Sequence, residues 1–287
     1  MIATMSGLAR PEILATTEWL AEHLGRPGIR IVDARWRPDG SAHEVYRAGH
    51  IPDAVHVDWR TDLVDQGGDV ETIRVADPDR VAAAAERAGI GDGTTVVVYD
   101  DTQGLYAARV WWTLRAYGAE QVRVLDGGFP AWEAEGRQIE RLEPDRPAAT
   151  GGPFIPRGPN RMHLTTSDVR GMLGSPDVTL LDARAPAEYR GFEGNTRRLG
   201  HIPGALNVPV GTMHEAGGQR LRPGDELQAR LHAANVSRRG RKVAYDGSGI
   251  AAAKLAFILT LLGHDDVAVY DGGWAEWGNR LDLPVDR

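Results

Sequence analysis

The chain of 287 residues contains no cysteine. Disulfides, thiolate metal sites and thiol nucleophiles are excluded together, because each needs a sulfur that can lose its proton. The five methionines are thioethers and do not replace it. No apolar run approaches the roughly 20 residues that a membrane-spanning helix requires. The start, MIATMSGLARPEIL, has no basic stretch followed by an apolar one, so no secretory signal is expected and a cytoplasmic location is. There is no basic stripe interleaved with aromatics, and a net charge of −7 argues against a nucleic-acid partner. The cluster Arg238, Arg239, Arg241 and Lys242 reads as a solvated turn. No H-E-x-x-H or comparable grouping points to a metal, and no cofactor is expected.

What is present is a chain that is 42% apolar and 25% charged, the profile of a globular protein with enough length for two cores. It repeats itself. Residues 31–57 and 180–208 each hold an apolar run ending in Asp-Ala-Arg (33–35 and 182–184), a polar stretch, and a Gly-His-Ile-Pro turn (49–52 and 200–203). Farther on, residues 96–132 match 242–277. From Gly104 and Gly249 onward the offset is a constant 145, pairing Arg109 with Lys254, Asp126 with Asp271 and Trp132 with Trp277. Upstream it is 146, pairing Tyr99 with Tyr245 and Asp100 with Asp246, so the loop of the first copy is one residue longer. Residues 141–162, rich in Pro, Gly and Arg, read as an extended linker between domains 1–140 and 163–287.

Short, nearly unbroken apolar runs predict strands at 29–33, 95–99 and 122–125, and again at 178–182, 242–245 and 267–270. Helices are expected near 17–24, 78–88, 105–117, 165–173, 224–234 and 250–262, with Gly118 and Gly263 as left-handed caps. Strands of this composition suit parallel sheets covered on both faces, so the expected class is α/β with two similar domains. Ligands in such sheets bind at the carboxyl ends of the strands, where helix N-termini gather.

The stretch YDGSGIAAAK (245–254) lies at such a place. Its backbone amides from Gly247 to Ala251 can curl into a nest, and the helix dipole behind them favours an anion. The loop has neither P-loop nor nucleophile-elbow spacing. Its first residue is a carboxylate, Asp246, expected to be ionised with a pKa below the ordinary value of about 3.9 because amides and dipole favour its charged form.

The motifs LLDAR (180–184), GHIPGALNVP (200–209), VAYDGSGIAAA (243–253) and VYDGGWAEW (269–277), with weaker copies in the first half, resemble the tandem-domain rhodaneses. These are thiosulfate or 3-mercaptopyruvate sulfurtransferases, and the likeness extends over about 270 residues. The resemblance implies two rhodanese-like domains, with residues 246–251 as the active loop of the second and the first as a non-catalytic copy. It also implies a small anionic sulfur compound as substrate and transfer of sulfane sulfur through a cysteine persulfide. Asp246 stands at the position of that cysteine. Gly247, Ser248 and Gly249 match a mercaptopyruvate-type loop, whereas Ile250 and Ala251 stand in place of Val and Thr. Of two arginines that would bind the substrate carboxylate, one position holds Glu188 and the other Arg197, with Arg190 nearby. Glutamate would repel that carboxylate.

With no sulfur to carry, the persulfide route is expected to be absent. The alternatives are a silent rhodanese fold that binds an anion or a protein partner and, less favoured, an Asp nucleophile in a hydrolase. His50 and His201 are read as structural hydrogen-bonders. Asp33, Asp182, Asp126 and Asp271 are read as organisers of turns or caps. Arg190, Arg197 and Arg198 are expected at the rim of the active loop.

Overall fold

The computed structural model describes residues 6–65, 67, 73–142 and 152–287. In the first half, strands β1 (Leu14–Ala15), β2 (Ile29–Asp33), β3 (Ala54–His56), β4 (Thr95–Tyr99) and β5 (Val122–Leu125) form a five-stranded sheet in the order β1-β5-β4-β2-β3. In the second half, β6 (His163–Leu164), β7 (Val178–Asp182), β8 (Leu206–Asn207), β9 (Arg241–Tyr245) and β10 (Val267–Tyr270) form another in the order β6-β10-β9-β7-β8. Every pairing within these sheets is parallel. Parallel neighbours need crossovers, and the helices supply them.

These helices are α1 (Thr17–His23), α2 (Ala42–Ala48), α3 (Trp59–Asp62), α4 (Pro78–Arg87), α5 (Leu105–Ala116) and α6 (Gly128–Ala134) in the first domain. The second contributes α7 (Thr166–Met172), α8 (Pro186–Tyr189), α9 (Gly224–Ala233), α10 (Ile250–Leu261) and α11 (Gly273–Trp277). The principal strands and helices fall within a residue or two of the expected ranges. Gly118 and Gly263 have φ of 100° and 86°, as left-handed caps require. The edge strands β1 and β6 have two residues each, too short to register as an apolar period. Of the expected linker, residues 143–151 lie outside the described residues.

The domains meet through α5 and α10, whose side chains are buried almost all the way round. A helix apolar on every face must be covered on every face; here its own sheet covers one side and the partner helix the other. Trp111 of α5 packs edge-on to Phe257 of α10 with ring centroids 5.1 Å apart, a geometry worth about 1 kcal/mol beyond its buried area. One apolar cluster therefore runs through both domains, while two smaller clusters, around Trp132 and around Trp277, stay within their own. The chain's first described residues also cross over: the amides of Ala9 and Arg10 donate to the Leu261 carbonyl at the end of α10. Among the described residues, no helix is long and apolar enough to cross a membrane.

Candidate functional site

Each domain builds its loop on the same lock. In parallel register, Asp182 at the end of β7 faces Tyr245 at the end of β9, as Asp33 of β2 faces Tyr99 of β4. Arg184 turns back on Asp182 with Nε 3.0 Å from Oδ1 and Nη2 2.6 Å from Oδ2, and Nη2 also donates to the Gly200 carbonyl at 2.8 Å. The Tyr245 hydroxyl accepts from the Ile202 amide at 3.1 Å. Arg35, Asp33, Gly49, Tyr99 and Ile51 repeat this arrangement in the first domain. The Asp-x-Arg and Gly-His-Ile-Pro motifs thus serve one purpose: a buried ion pair pins the turn beside the tyrosine that immediately precedes the loop. Both histidines take structural places, as expected. His50 Nδ1 lies 2.9 Å from the Tyr46 carbonyl and His201 Nδ1 2.9 Å from that of Tyr189, each ring stacked on the tyrosine.

Beyond Tyr245 the chain makes its sharp entry into α10. Gly249, at φ 84°, is the N-cap. A Cβ there would come within 2.9 Å of both Arg109 Nη1 and Asp271 Oδ1, so backbone angle and crowding both demand glycine. The first turn of α11 clamps the loop from its other side: the amides of Trp274 and Ala275 donate to the carbonyls of Asp246 and Gly247 at 2.6 and 2.9 Å.

The Asp246 carboxylate, 6% exposed, points into the loop. Its Oδ1 accepts from the Gly249 amide, and its Oδ2 from the Ala251 amide at 3.2 Å. The nest is real, and its own first side chain fills it. Ser248 stands half-exposed at the mouth, while Ile250 and Ala251 pack against the shared core. The expected acidity does not hold. Burial pushes the Asp246 carboxyl above its ordinary value and outweighs the opposing amides of Ala251, Gly249, Ser248 and Ala252. Desolvation of a charge in a nearly closed pocket exceeds what four polar N–H groups return.

Asp100 repeats the arrangement more completely. Its Oδ1 accepts from Thr102 and Gly104 at 2.8 Å each, and its Oδ2 from Tyr106 at 2.8 Å and Ala107 at 2.9 Å. The extra residue of this loop, Gln103, takes a positive φ of 56°. Its amide donates to Gln219 Oε1 and its side chain to the Gly218 carbonyl, both in the second domain.

Asp126 and Asp271, expected to organise local turns, instead bridge the domains. Asp271 receives Arg109 Nη1 at 2.6 Å and the Val75 amide at 2.5 Å from the first domain, with His163 Nε2 3.6 Å away. Burial opposes its ionisation, but Arg109 and His163 prevail and hold the carboxyl below its ordinary value. Asp126 receives the Leu221 amide at 3.0 Å and Arg220 at 3.5 Å, and there burial wins and the carboxyl is pushed up. Sequence reasoning missed Arg109 as part of the site. The available signal was a cation in the middle of a largely apolar helix, aligned in the repeat with another, Lys254.

The three arginines expected at the rim divide. Arg198 is structural: its guanidinium donates to the carbonyls of Leu283, Trp277 and Arg280, fastening the C-terminal segment. Arg190 and Arg197 are exposed, and neither side chain has an ion pair among the described residues. Glu188 turns back to accept from the Ala185 amide at 3.3 Å.

Two parallel α/β sheets, each with a short Asp-led loop at its carboxyl edge under an Asp-Arg-turn lock, define a tandem rhodanese architecture. The family description Rhodanese-like domain matches residues 16–135 and 165–280, and the chain belongs to the rhodanese family. It is 36% identical over 296 residues to a putative thiosulfate sulfurtransferase, SseA, of Mycobacterium tuberculosis, covering 98% of this chain and 93% of that protein. It is 34% identical over 285 residues to the 3-mercaptopyruvate sulfurtransferase of Escherichia coli K12, covering 94% and 96%. Among solved structures, SseA from Escherichia coli, a 3-mercaptopyruvate sulfotransferase, superposes with a TM-score of 0.80 at 31% identity over 91% of this chain and 98% of that one. An anaerobic ergothioneine biosynthesis enzyme from Chlorobium limicola, solved with trimethyl histidine, superposes with a TM-score of 0.82 at 25% identity, covering 97% and 71%.

Proposed function

We propose that this chain is a rhodanese-family protein whose second-domain loop keeps the shape of a sulfurtransferase site and does not carry out persulfide transfer. One observation supports this above all: Asp246 stands where the loop's nucleophile belongs and closes the amide nest with its own oxygens. A carboxylate cannot take up sulfane sulfur, and the chain has no cysteine to act in its place. An incoming thiosulfate would meet both a buried carboxylate and amides already engaged. Arg190 and Arg197, exposed and without an ion pair among the described residues, favour a second element of the reading, in which the loop surface receives a small anionic sulfur compound, or an acidic surface of a protein, without turning it over.

The test is thiocyanate formation from cyanide by the unmodified chain, with thiosulfate and with 3-mercaptopyruvate as donors. Rates equal to those without protein are expected. Turnover at the level of a cysteine-containing relative overturns the reading.

A further inference from the structure

Each domain sends an arm across to the other, and the two arms end differently. The amides of Leu221 and Val75 each reach the aspartate that precedes the other domain's Gly-Gly turn, Asp126 and Asp271. The residue before each is an arginine, Arg220 and Arg74. Arg220 lies across the turn, where a Cβ on Gly127 would meet its Cγ at 3.1 Å. It donates to Glu135, which also accepts from Thr17, and reaches Asp126 at 3.5 Å. In the second domain, the constant offset of the repeat puts Arg280 at the place of Glu135 and Glu276 at that of Ala131. Glu276 accepts from Thr166 instead, and Arg74 stops there, 3.0 Å from Glu276 and without an ion pair to Asp271 among the described residues. The space that corresponds to the Arg220 side chain stays open. It is a pocket of about 240 Å³ lined by Arg74, His163, Ser167, Asp271, Glu276 and Arg280.

The acceptors of this pocket are taken and several donors are not. Asp271 is engaged on one oxygen by Arg109 at 2.6 Å and on the other by the Val75 amide. Glu276 is engaged on one oxygen by Thr166 and on the other by Arg74. Nε and Nη1 of Arg74, Nη1 of Arg280 and the Ser167 hydroxyl make no hydrogen bond to a described residue. Arg280 rests its remaining edge on Asp282, with side chains 43% and 53% exposed, and a pair so open to solvent is weak. Asp282 keeps Arg170, 3.6 Å away, when an incoming group takes Arg280 from it. Three guanidiniums, Arg74, Arg109 and Arg280, then face two carboxylates. In the first domain Glu135 and Glu18 stand where Arg280 and Ser167 stand here, so the counterpart surface repels an anion.

We propose that this pocket binds a small oxyanion of the carboxylate or sulfate type, held between Arg74 and Arg280 with the Ser167 hydroxyl as a third donor. Guanidinium forks match the paired oxygens of such groups. One water takes about 30 Å³ of the liquid, so the pocket suits an anion of several heavy atoms rather than a lone halide. The site is separate from the nest at Asp246, because Asp271 stands between them. Its Oδ1 meets Arg109, which donates to the Gly249 carbonyl behind the loop. Its Oδ2 lies 3.6 Å from His163 Nε2 in the pocket wall.

The test is titration calorimetry of the unmodified chain with malonate and with sulfate in low-salt buffer, where screening is least. One saturable site is expected for at least one of them: malonate alone marks an organic acid as the occupant, sulfate alone an inorganic one. Arg74→Gln combined with Arg280→Gln, both at exposed positions, should weaken binding about tenfold or more. Asp282→Asn, which frees Arg280, should tighten it about threefold. Arg190→Gln combined with Arg197→Gln should leave it unchanged, which separates this site from any anion at the rim of the Asp246 loop. No saturable binding of either anion overturns the proposal. So does undiminished binding by a folded Arg74/Arg280 variant, an Asp282→Asn variant that binds no more tightly, or loss of the site in the Arg190/Arg197 variant. None of these readouts depends on whether the loop at Asp246 is catalytically silent.

Discussion

The first-domain loop is one residue longer than the second, and its Asp100 collects four backbone amides at 2.8–2.9 Å. Asp246, in the shorter loop, bonds the amides of Gly249 and Ala251 directly. Behind the loops the order is reversed. Arg109 fills the space at the second loop and is bonded at three oxygens, whereas Lys254 leaves a gap at the first. Duplication preserved the frame, the Asp-Arg-turn lock and the acidic residue at the loop's entry. It left the support behind each loop free to diverge. The better-supported loop is the one that, in the family's pattern, carries chemistry.

Removing that support should produce the largest effect. Arg109→Met strips the buried Asp271 charge of its guanidinium partner and should cost about 3 kcal/mol in urea denaturation. Lys254→Met deletes no hydrogen bond to a described residue and should cost about 1 kcal/mol or less. Equal losses would mean that the asymmetry between the two supports has no energetic content.

The acids themselves should rank in the opposite order. Asp100→Asn offers one acceptor oxygen to four amides and should cost about 2–3 kcal/mol. Asp246→Asn, with two direct bonds, should cost about 1 kcal/mol. Melting of the two variants side by side checks the ranking, and a costlier Asp246→Asn contradicts it.

A pH series separates Asp126 from Asp271. The Asp126 carboxyl is raised above 3.8 by burial, so its contribution is fully present below 3.8 and lost as pH rises through the folded value. The Asp271 carboxyl is held below 3.8, so its contribution is present above 3.8 and lost as pH falls through the folded value. The stability deficit of Asp126→Asn should therefore shrink from acid toward neutral pH, while that of Asp271→Asn grows. Parallel curves would remove the cross-domain arginine as the cause of the difference. The smallest contrast is none at all: Tyr99→Phe and Tyr245→Phe, which both remove the hydroxyl that accepts from the turn's isoleucine amide, should each cost about 1 kcal/mol.

Much of this was legible in the sequence because it is local or repeated. Apolar runs located the six long strands, and glycines at 118 and 263 marked where α5 and α10 stop. The repeat placed Asp100 opposite Asp246 before any coordinates. What stayed hidden depends on partners distant in the chain. Asp271 looked like a turn residue because its partners, Val75 and Arg109, lie 196 and 162 positions away. Arg198 was placed at the rim of the loop because nothing local shows that carbonyls near the C-terminal end of the chain consume its guanidinium. The acidity of Asp246 was misjudged because hydrogen bonds can be read from a loop motif and burial cannot.

The central claim is that the second loop has a sulfurtransferase's shape around the wrong first atom. Asp246→Cys tests it most directly. The variant and the unmodified chain are each incubated with thiosulfate, and their intact masses are measured before and after cyanide. The variant is predicted to gain the mass of one sulfur atom and lose it to cyanide, while the unmodified chain stays unchanged. A folded variant that takes up no sulfur, or an unmodified chain that does, would contradict the account.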